Sequence, residues 1–101
     1  MIYTWDNKHR NDTFRLCINT LNKVKGTNVE FNFCEADVKT LSVWIIYQGK
    51  NFKRTFYWED LAGATKKAFN EEINFEKLTD VQYLNLCKYI TKDLWEIVRM
   101  L

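Results

Sequence analysis

The fold is decided by residues 41–58, which read LSVWIIYQGKNFKRTFYW. Both halves of this stretch are rich in β-branched and aromatic residues, which favour strands. Between the halves, Gly49-Lys50 suits a two-residue turn of type II′, in which glycine takes the first central position. We therefore predict strands at 41–48 and 51–58, joined as an antiparallel hairpin.

The hairpin assigns each side chain to one of two sheet faces. Pairing Gln48 with Asn51 places Tyr47 opposite Phe52 and gathers apolar residues on one face. Arg54 is the one charged residue on that face. Two alternatives stay open for the other face. Either this face is exposed and binds a partner, as contiguous apolar patches with aromatic anchors do, or other parts of the chain cover it. The predicted partner-binding residues on this face are Trp44, Ile46, Lys53 and Tyr57.

Upstream of the hairpin, the sequence predicts one helix and one strand. Apolar residues recur at helical spacing over 12–25, with Asn11 or Asp12 as the N-cap and Gly26 as the residue that ends the helix. Alternation of apolar and polar residues over 29–33 then predicts a half-buried strand, with Phe31 and Phe33 on the same face.

Downstream of the hairpin, two helices are expected. The segment 59–75 has a weak apolar stripe, and 79–101 has a strong one that starts with a capping box of Thr79 and Gln82. The predicted fold is therefore a single α+β domain, residues 1–101, with a three-stranded antiparallel meander and helices in the order α-β-β-β-α-α. The apolar spacing of the last helix also fits a coiled-coil seam, so a homodimer through 79–101 is an alternative to burial in the core.

Composition argues against several kinds of site. The net charge is +2, from 15 basic and 13 acidic residues, so the chain has no strong polyanion-binding excess. Three widely spaced cysteines and His9 do not have the spacing of a zinc site, and no catalytic motif occurs. We therefore expect no metal, no cofactor and no enzymatic activity, with an enzyme based on Cys34 or Cys87 as the remaining alternative. With no apolar run suited to a signal peptide or a membrane span, the expected location is the cytoplasm.

One short stretch resembles a nucleic-acid-binding family. The order of one helix, three strands and a helix, together with the sequence GATKKA at 63–68, resembles the double-stranded-RNA-binding domain. In that family a twin-lysine motif opens the final helix and its lysines contact backbone phosphates. The resemblance implies that Lys66 and Lys67 contact RNA or DNA. Acidic residues flank this stretch, which differs from the family pattern.

The chain as a whole has a second resemblance, one of composition. It is rich in Lys, Asn, Ile and Phe, lacks proline and carries no chemical motif. In these respects it looks like the small accessory proteins of phages and mobile elements of AT-rich bacteria, among them anti-CRISPR and other anti-defence inhibitors. This resemblance implies a phage-type inhibitor that occludes a surface of a host protein or nucleoprotein complex inside the bacterial cell.

Overall fold

The computed structural model describes residues 2–3, 5–70 and 72–101, with residues 2, 3 and 69 described by their backbone alone. The fold is α+β in the predicted order, with two further strands of two residues each. In chain order the elements are β1 (Ile2–Tyr3), α1 (Asn7–Lys25), β2 (Glu30–Ala36), β3 (Thr40–Tyr47), β4 (Lys50–Tyr57), α2 (Trp58–Phe69), β5 (Leu78–Thr79) and α3 (Asp80–Val98).

The main sheet is an antiparallel meander with β3 in the middle, flanked by β2 and β4. Its hairpin turns at Gln48-Gly49, one residue earlier than predicted, and Tyr47 pairs with Lys50. Both turn residues have positive φ, 52° at Gln48 and 77° at Gly49, as a type I′ turn requires. The predicted pairing of Gln48 with Asn51 is therefore wrong. Relative to the predicted pairing, β4 is shifted along β3 by two residues. Because side chains alternate between the two faces, a shift of two leaves each side chain on its predicted face.

Helix α1 is longer than the apolar pattern predicts. It begins at Asn7, where the Asp6 carboxylate accepts a hydrogen bond from the backbone N–H of His9 at 3.0 Å. The early turns consist of polar residues, so the apolar spacing on which the prediction relied is missing there. The predicted end is confirmed, because Gly26 adopts the left-handed conformation with a φ of 68°.

The core lies between one face of the main sheet and the helices. Leu41, Val43 and Ile45 of β3 are almost completely buried, as the predicted apolar face requires. The Phe14 ring of α1 packs against Phe31 and Phe56, with ring centroids 6.5 and 6.2 Å away. Among the side chains that the structure describes, the remaining buried hydrophobic residues are Trp5, Cys17, Ile18, Leu21, Val29, Leu61, Leu78, Leu86, Ile90, Leu94 and Val98.

Arg54, the charged residue on the apolar face, is paired with α3. Its Nε and Nη2 donate hydrogen bonds of 2.6 and 3.0 Å to the two carboxylate oxygens of Asp93. The guanidinium also lies 5.5 Å from the centre of the Phe56 ring. This two-bond pairing satisfies the charge of Arg54 where a long helix crosses the sheet.

The last two helices have well-defined ends. Helix α2 stops at Phe69, before the predicted end at 75, because Asn70 adopts the left-handed conformation with a φ of 55°. The capping box of α3 is confirmed, since Gln82 N–H donates to Thr79 Oγ1 at 3.2 Å and Thr79 N–H donates to Gln82 Oε1 at 3.1 Å. Across the described residues, no helix combines the length and the apolar character needed to cross a bilayer.

Candidate functional site

The candidate site lies on the outer face of the main sheet, which is the face turned away from α1 and α3. Trp44 on the central strand is directly opposite Phe33 on β2 and Lys53 on β4. Ile46 follows Trp44 on the same face, since alternate residues of a strand point the same way. We call these four residues, Phe33, Trp44, Ile46 and Lys53, the outer-face cluster.

The cluster is built as a layered stack. The Phe33 and Trp44 rings are nearly parallel, with an interplanar angle of 20° and centroids 5.4 Å apart. On the other side, Lys53 Nζ lies 5.1 Å from the centre of the Trp44 ring. The three side chains stand side by side because they come from adjacent strands, and Phe33 and Lys53 are the more exposed members of the stack. Aromatic pairs and cation–π contacts of this kind contribute roughly 0.5–1.5 kcal/mol each.

Phe33 joins this stack because of a β-bulge. The pairing register shifts between Phe31 and Phe33, so Phe31 faces Ile45 on the core side while Phe33 faces Trp44. Simple alternation predicts both phenylalanines on one face, and that prediction is wrong. Cys34, the next apolar residue, takes the core-side position opposite Val43. Phe33 is 43% exposed as a result.

The indole N–H of Trp44 is an unusual feature of the cluster. Its Nε1 atom is buried and has no hydrogen-bond partner among the described residues. A buried donor left without an acceptor costs about 1–3 kcal/mol, so native structures seldom keep one without a reason. The donor lies in the same cluster as the exposed Phe33 ring.

Tyr57, the fourth predicted binding residue, lies away from the cluster. It pairs with Thr40 at the far end of β4, four residues from Lys53 and thus about 13 Å along the strand. The predicted pairing of Gln48 with Asn51 would have placed Tyr57 opposite Ser42, two residues closer to Trp44 than its true partner Thr40. Tyr57 is 51% exposed and lies beside the turn that joins β2 to β3.

The outer face carries charges of both signs. Glu30 is opposite Ile46, and Glu35 is opposite Ser42, so two carboxylates flank the cluster on the β2 side. Beyond them, Asp37 accepts hydrogen bonds from the backbone N–H groups of Thr40 and Lys39 at 2.8 and 2.9 Å. These bonds, with that of Thr40 the largest cause, hold the pKa of the Asp37 carboxyl below its usual value.

The twin lysines lie in the last turn of α2 rather than at the start of a helix. Lys66 forms an ion pair with Glu72, with 2.5 Å between Nζ and Oε1. That hydrogen bond raises the pKa of Lys66 above its ordinary value. Lys67 is exposed. The twin-lysine motif therefore has a different position from the one in the RNA-binding family.

The thiols and the histidine lie in separate surroundings. His9 Nδ1 is 2.8 Å from the Asp6 carboxylate, at the start of α1. Cys34 contacts Asn11 Oδ1 at 3.5 Å, and burial raises the pKa of its thiol. Within residues 2–3, 5–70 and 72–101, no group of three or more His, Cys, Asp or Glu side chains is placed to hold a metal ion.

Cys17 and Cys87 form a thiol pair where α1 meets α3. Cys17 Sγ lies 3.6 Å from the carbonyl oxygen of Cys87. The interaction between the two thiol groups lowers the pKa of Cys87, and the same interaction together with burial raises the pKa of Cys17. Cys87 is therefore the thiol of this pair that ionises first.

Comparisons with known proteins add no relative: no family model, no curated protein and no solved structure matches the chain.

Proposed function

We propose that the protein is a non-enzymatic binding protein that occludes a surface of a partner protein through the outer-face cluster. The observation that carries the proposal is the stack of Phe33, Trp44 and Lys53 on a sheet face that the helices leave exposed. Aromatic side chains are among the residues that most often anchor protein interfaces. A rigid sheet presents them in a fixed arrangement, which lowers the entropy lost on binding.

The arrangement of the rings favours a protein over a nucleic acid at this face. Proteins that bind single strands stack bases on the open faces of aromatic rings. Here Phe33 covers one face of the Trp44 ring, and Lys53 covers the other. In addition, the carboxylates of Glu30 and Glu35 on the same sheet face repel phosphates.

The chemistry of the cluster also describes the partner surface. The exposed edge of Phe33 and the side chain of Ile46 suit an apolar protrusion. Lys53 suits a carboxylate beside that protrusion, since its ammonium group is exposed and donates hydrogen bonds. An apolar side chain next to an acidic one is therefore the complementary feature.

The composition supports a biological setting for this role. We propose that the protein belongs with phage or mobile-element inhibitors of the anti-CRISPR or anti-defence type, and that it acts in the cytoplasm of a bacterial host. The support is the resemblance in composition across the whole chain. Inhibitors of this type commonly work by covering a functional surface of a host protein or nucleoprotein complex.

The test is capture of a partner from a bacterial lysate by the immobilised chain. Wild type is compared with Phe33→Ala and Lys53→Glu, and Tyr57→Ala serves as the matched control because its exposure is similar to that of Phe33. We expect a specific band whose recovery falls at least tenfold with the two cluster variants and stays near wild type with the control. Equal recovery by all four folded proteins would reject the outer-face cluster as the binding surface.

The alternative function is binding of RNA or DNA through Lys66 and Lys67. Its support is the exposed position of both lysines at the end of α2. Affinity should then fall steeply with salt, because counterions are released from the phosphates. A gel shift with double-stranded RNA and with DNA at low salt tests this, with Lys66→Glu/Lys67→Glu as the variant. Absence of any shift by wild type would remove this alternative.

A further inference from the structure

A second surface of the molecule is a groove between α1 and α3. Its volume is about 470 Å³, and apolar side chains form most of its lining. Cys17 and Leu21, each 1% exposed, form its floor. The walls are exposed apolar residues, with Leu16 50%, Val24 69% and Leu84 57% accessible to solvent. Large hydrophobic side chains this open on neighbouring helices are typical of a docking surface.

Every charged residue that lines the groove is a lysine. Lys25 stands on the α1 side, and Lys88 and Lys92 stand on the α3 side. Lys25 Nζ also lies 4.9 Å from the centre of the Trp95 ring, which holds one cation directly over the apolar lining. A groove with an apolar interior and a purely cationic border is complementary to a ligand that is apolar on one side and acidic along its flanks.

The groove opens on the side of the helices away from the main sheet. Leu86 is completely buried in the core, and Trp95, which lines the groove, follows nine residues later. Nine residues are about two and a half turns of helix, so these two side chains point in roughly opposite directions from the α3 axis. The groove is therefore a separate surface from the outer-face cluster.

We infer that this groove binds an acidic amphipathic helix of a protein partner. The α1 wall from Leu16 to Lys25 is about 14 Å long, and the α3 wall from Leu84 to Trp95 is about 17 Å long. A helix places apolar anchors at i, i+3, i+4 and i+7, which span about 10 Å along its axis. One face of a three-turn helix therefore fits the length of the groove, with its acidic flanks next to the lysines.

Two other occupants fit the groove less well. A lipid bilayer is flat, and its surface contacts the exposed walls but does not reach the buried floor at Cys17 and Leu21. A second copy of the chain docked by twofold symmetry would place two identical grooves against each other, so that all the charged residues lining both sides would be lysines. That contact places like charges together, which the acidic helix avoids.

The experiment uses two synthetic peptides of about 18 residues, which exceeds the length of about 12–15 residues below which isolated helices are marginal. Both carry leucine at i, i+3, i+4 and i+7, and they differ only in having Glu or Lys at the flanking positions. Binding to the full chain is followed by fluorescence anisotropy. The variants are Lys88→Glu/Lys92→Glu and Leu84→Asn, all at exposed positions, and the control is Lys39→Glu/Lys50→Glu, whose lysines do not line the groove.

We expect wild type to prefer the acidic peptide. The Lys88→Glu/Lys92→Glu variant should bind the acidic peptide about tenfold more weakly and the basic peptide more tightly, and Leu84→Asn should weaken binding of the acidic peptide about tenfold. The control should stay within about twofold of wild type. A further readout is alkylation of Cys87, which lines the groove and should be protected by the acidic peptide.

Four results would overturn the inference. Two concern the peptides: the acidic peptide does not bind up to about 1 mM, or both peptides bind equally well. The third is that the protein binds phosphatidylcholine–phosphatidylserine vesicles and the acidic peptide does not displace them. The fourth is that sedimentation shows a dimer that Leu84→Asn dissociates. The result is distinguishable from that of the proposed function, because Phe33→Ala changes the outer-face cluster and should leave peptide binding unchanged.

Discussion

Removal of one partner of the Arg54–Asp93 pair should destabilise the fold more than removal of both. Asp93→Leu leaves the guanidinium of Arg54 on the apolar side of the sheet without its two hydrogen bonds of 2.6 and 3.0 Å. Arg54→Leu likewise leaves the carboxylate of Asp93 between α3 and β4. The double variant replaces the ion pair by two leucines next to Phe56, which adds to the apolar face that already exists.

The magnitude follows from the exposure of the two side chains. Arg54 is 40% and Asp93 is 20% accessible, so the pair lies between a surface pair and a buried one. Exposed pairs contribute about 0–1 kcal/mol, and breaking a fully buried pair costs about 3–5 kcal/mol. Each single variant should therefore lose roughly 2 kcal/mol, which lowers the melting temperature by about 8–15 °C for a domain of this size. The double variant should stay within about 1 kcal/mol of wild type.

The assay is urea unfolding of the four proteins in a double-mutant cycle, followed by far-UV circular dichroism. The expected coupling energy between the two positions is about 3 kcal/mol or more, since two single losses of about 2 kcal/mol each are compared with a loss of at most about 1 kcal/mol in the double variant. Additive single effects, with a coupling below about 0.5 kcal/mol, would contradict the structure, because they would mean that the two groups do not bond to each other.

Three further predictions concern the capping box, the hairpin turn and the thiols. Thr79→Ala removes the oxygen that caps α3 and should cost about 1 kcal/mol in urea unfolding, whereas Thr79→Ser should retain most of that free energy. Gly49→Ala places a side chain at a φ of 77° and should lower the free energy of unfolding by about 1–2 kcal/mol. An unchanged free energy of unfolding would mean that the turn lies at another position. At a pH of about 8, iodoacetamide should modify Cys87 before Cys34 and Cys17, because a lowered pKa gives more thiolate and a raised pKa gives less. Peptide mass spectrometry over time measures this order, and faster modification of Cys17 would contradict it.

The fold could be predicted from the sequence wherever local patterns and global packing agree. The capping box at Thr79, the end of α1 at Gly26 and the buried face of β3 are examples, because each depends on residues close together in the chain. The start of α1 could not be predicted in the same way. Its early turns are polar, and the cap at Asp6 is one acceptor among several similar residues nearby.

The candidate site was harder to predict because it depends on register. A register error of two residues leaves Trp44 and Lys53 on the predicted face, but it changes the position of Tyr57 relative to them. The place of Phe33 depends on a bulge near Asn32 that no local signal marks. Likewise, the pairing of Arg54 with Asp93 links residues 39 positions apart, so the sequence identifies Arg54 only as an exception on an apolar face.

We propose that a protein partner binds at the centre of the outer face, where Phe33 stacks on Trp44. The most direct test is the affinity of the isolated partner for Phe33→Ala and Tyr57→Ala, measured by isothermal titration calorimetry. Both residues are aromatic and of similar exposure, 43% and 51%, but only Phe33 stacks on Trp44. We predict at least a tenfold loss of affinity for Phe33→Ala and less than about threefold for Tyr57→Ala. Equal losses, or a larger loss for Tyr57→Ala, would show that the partner does not bind at the outer-face cluster.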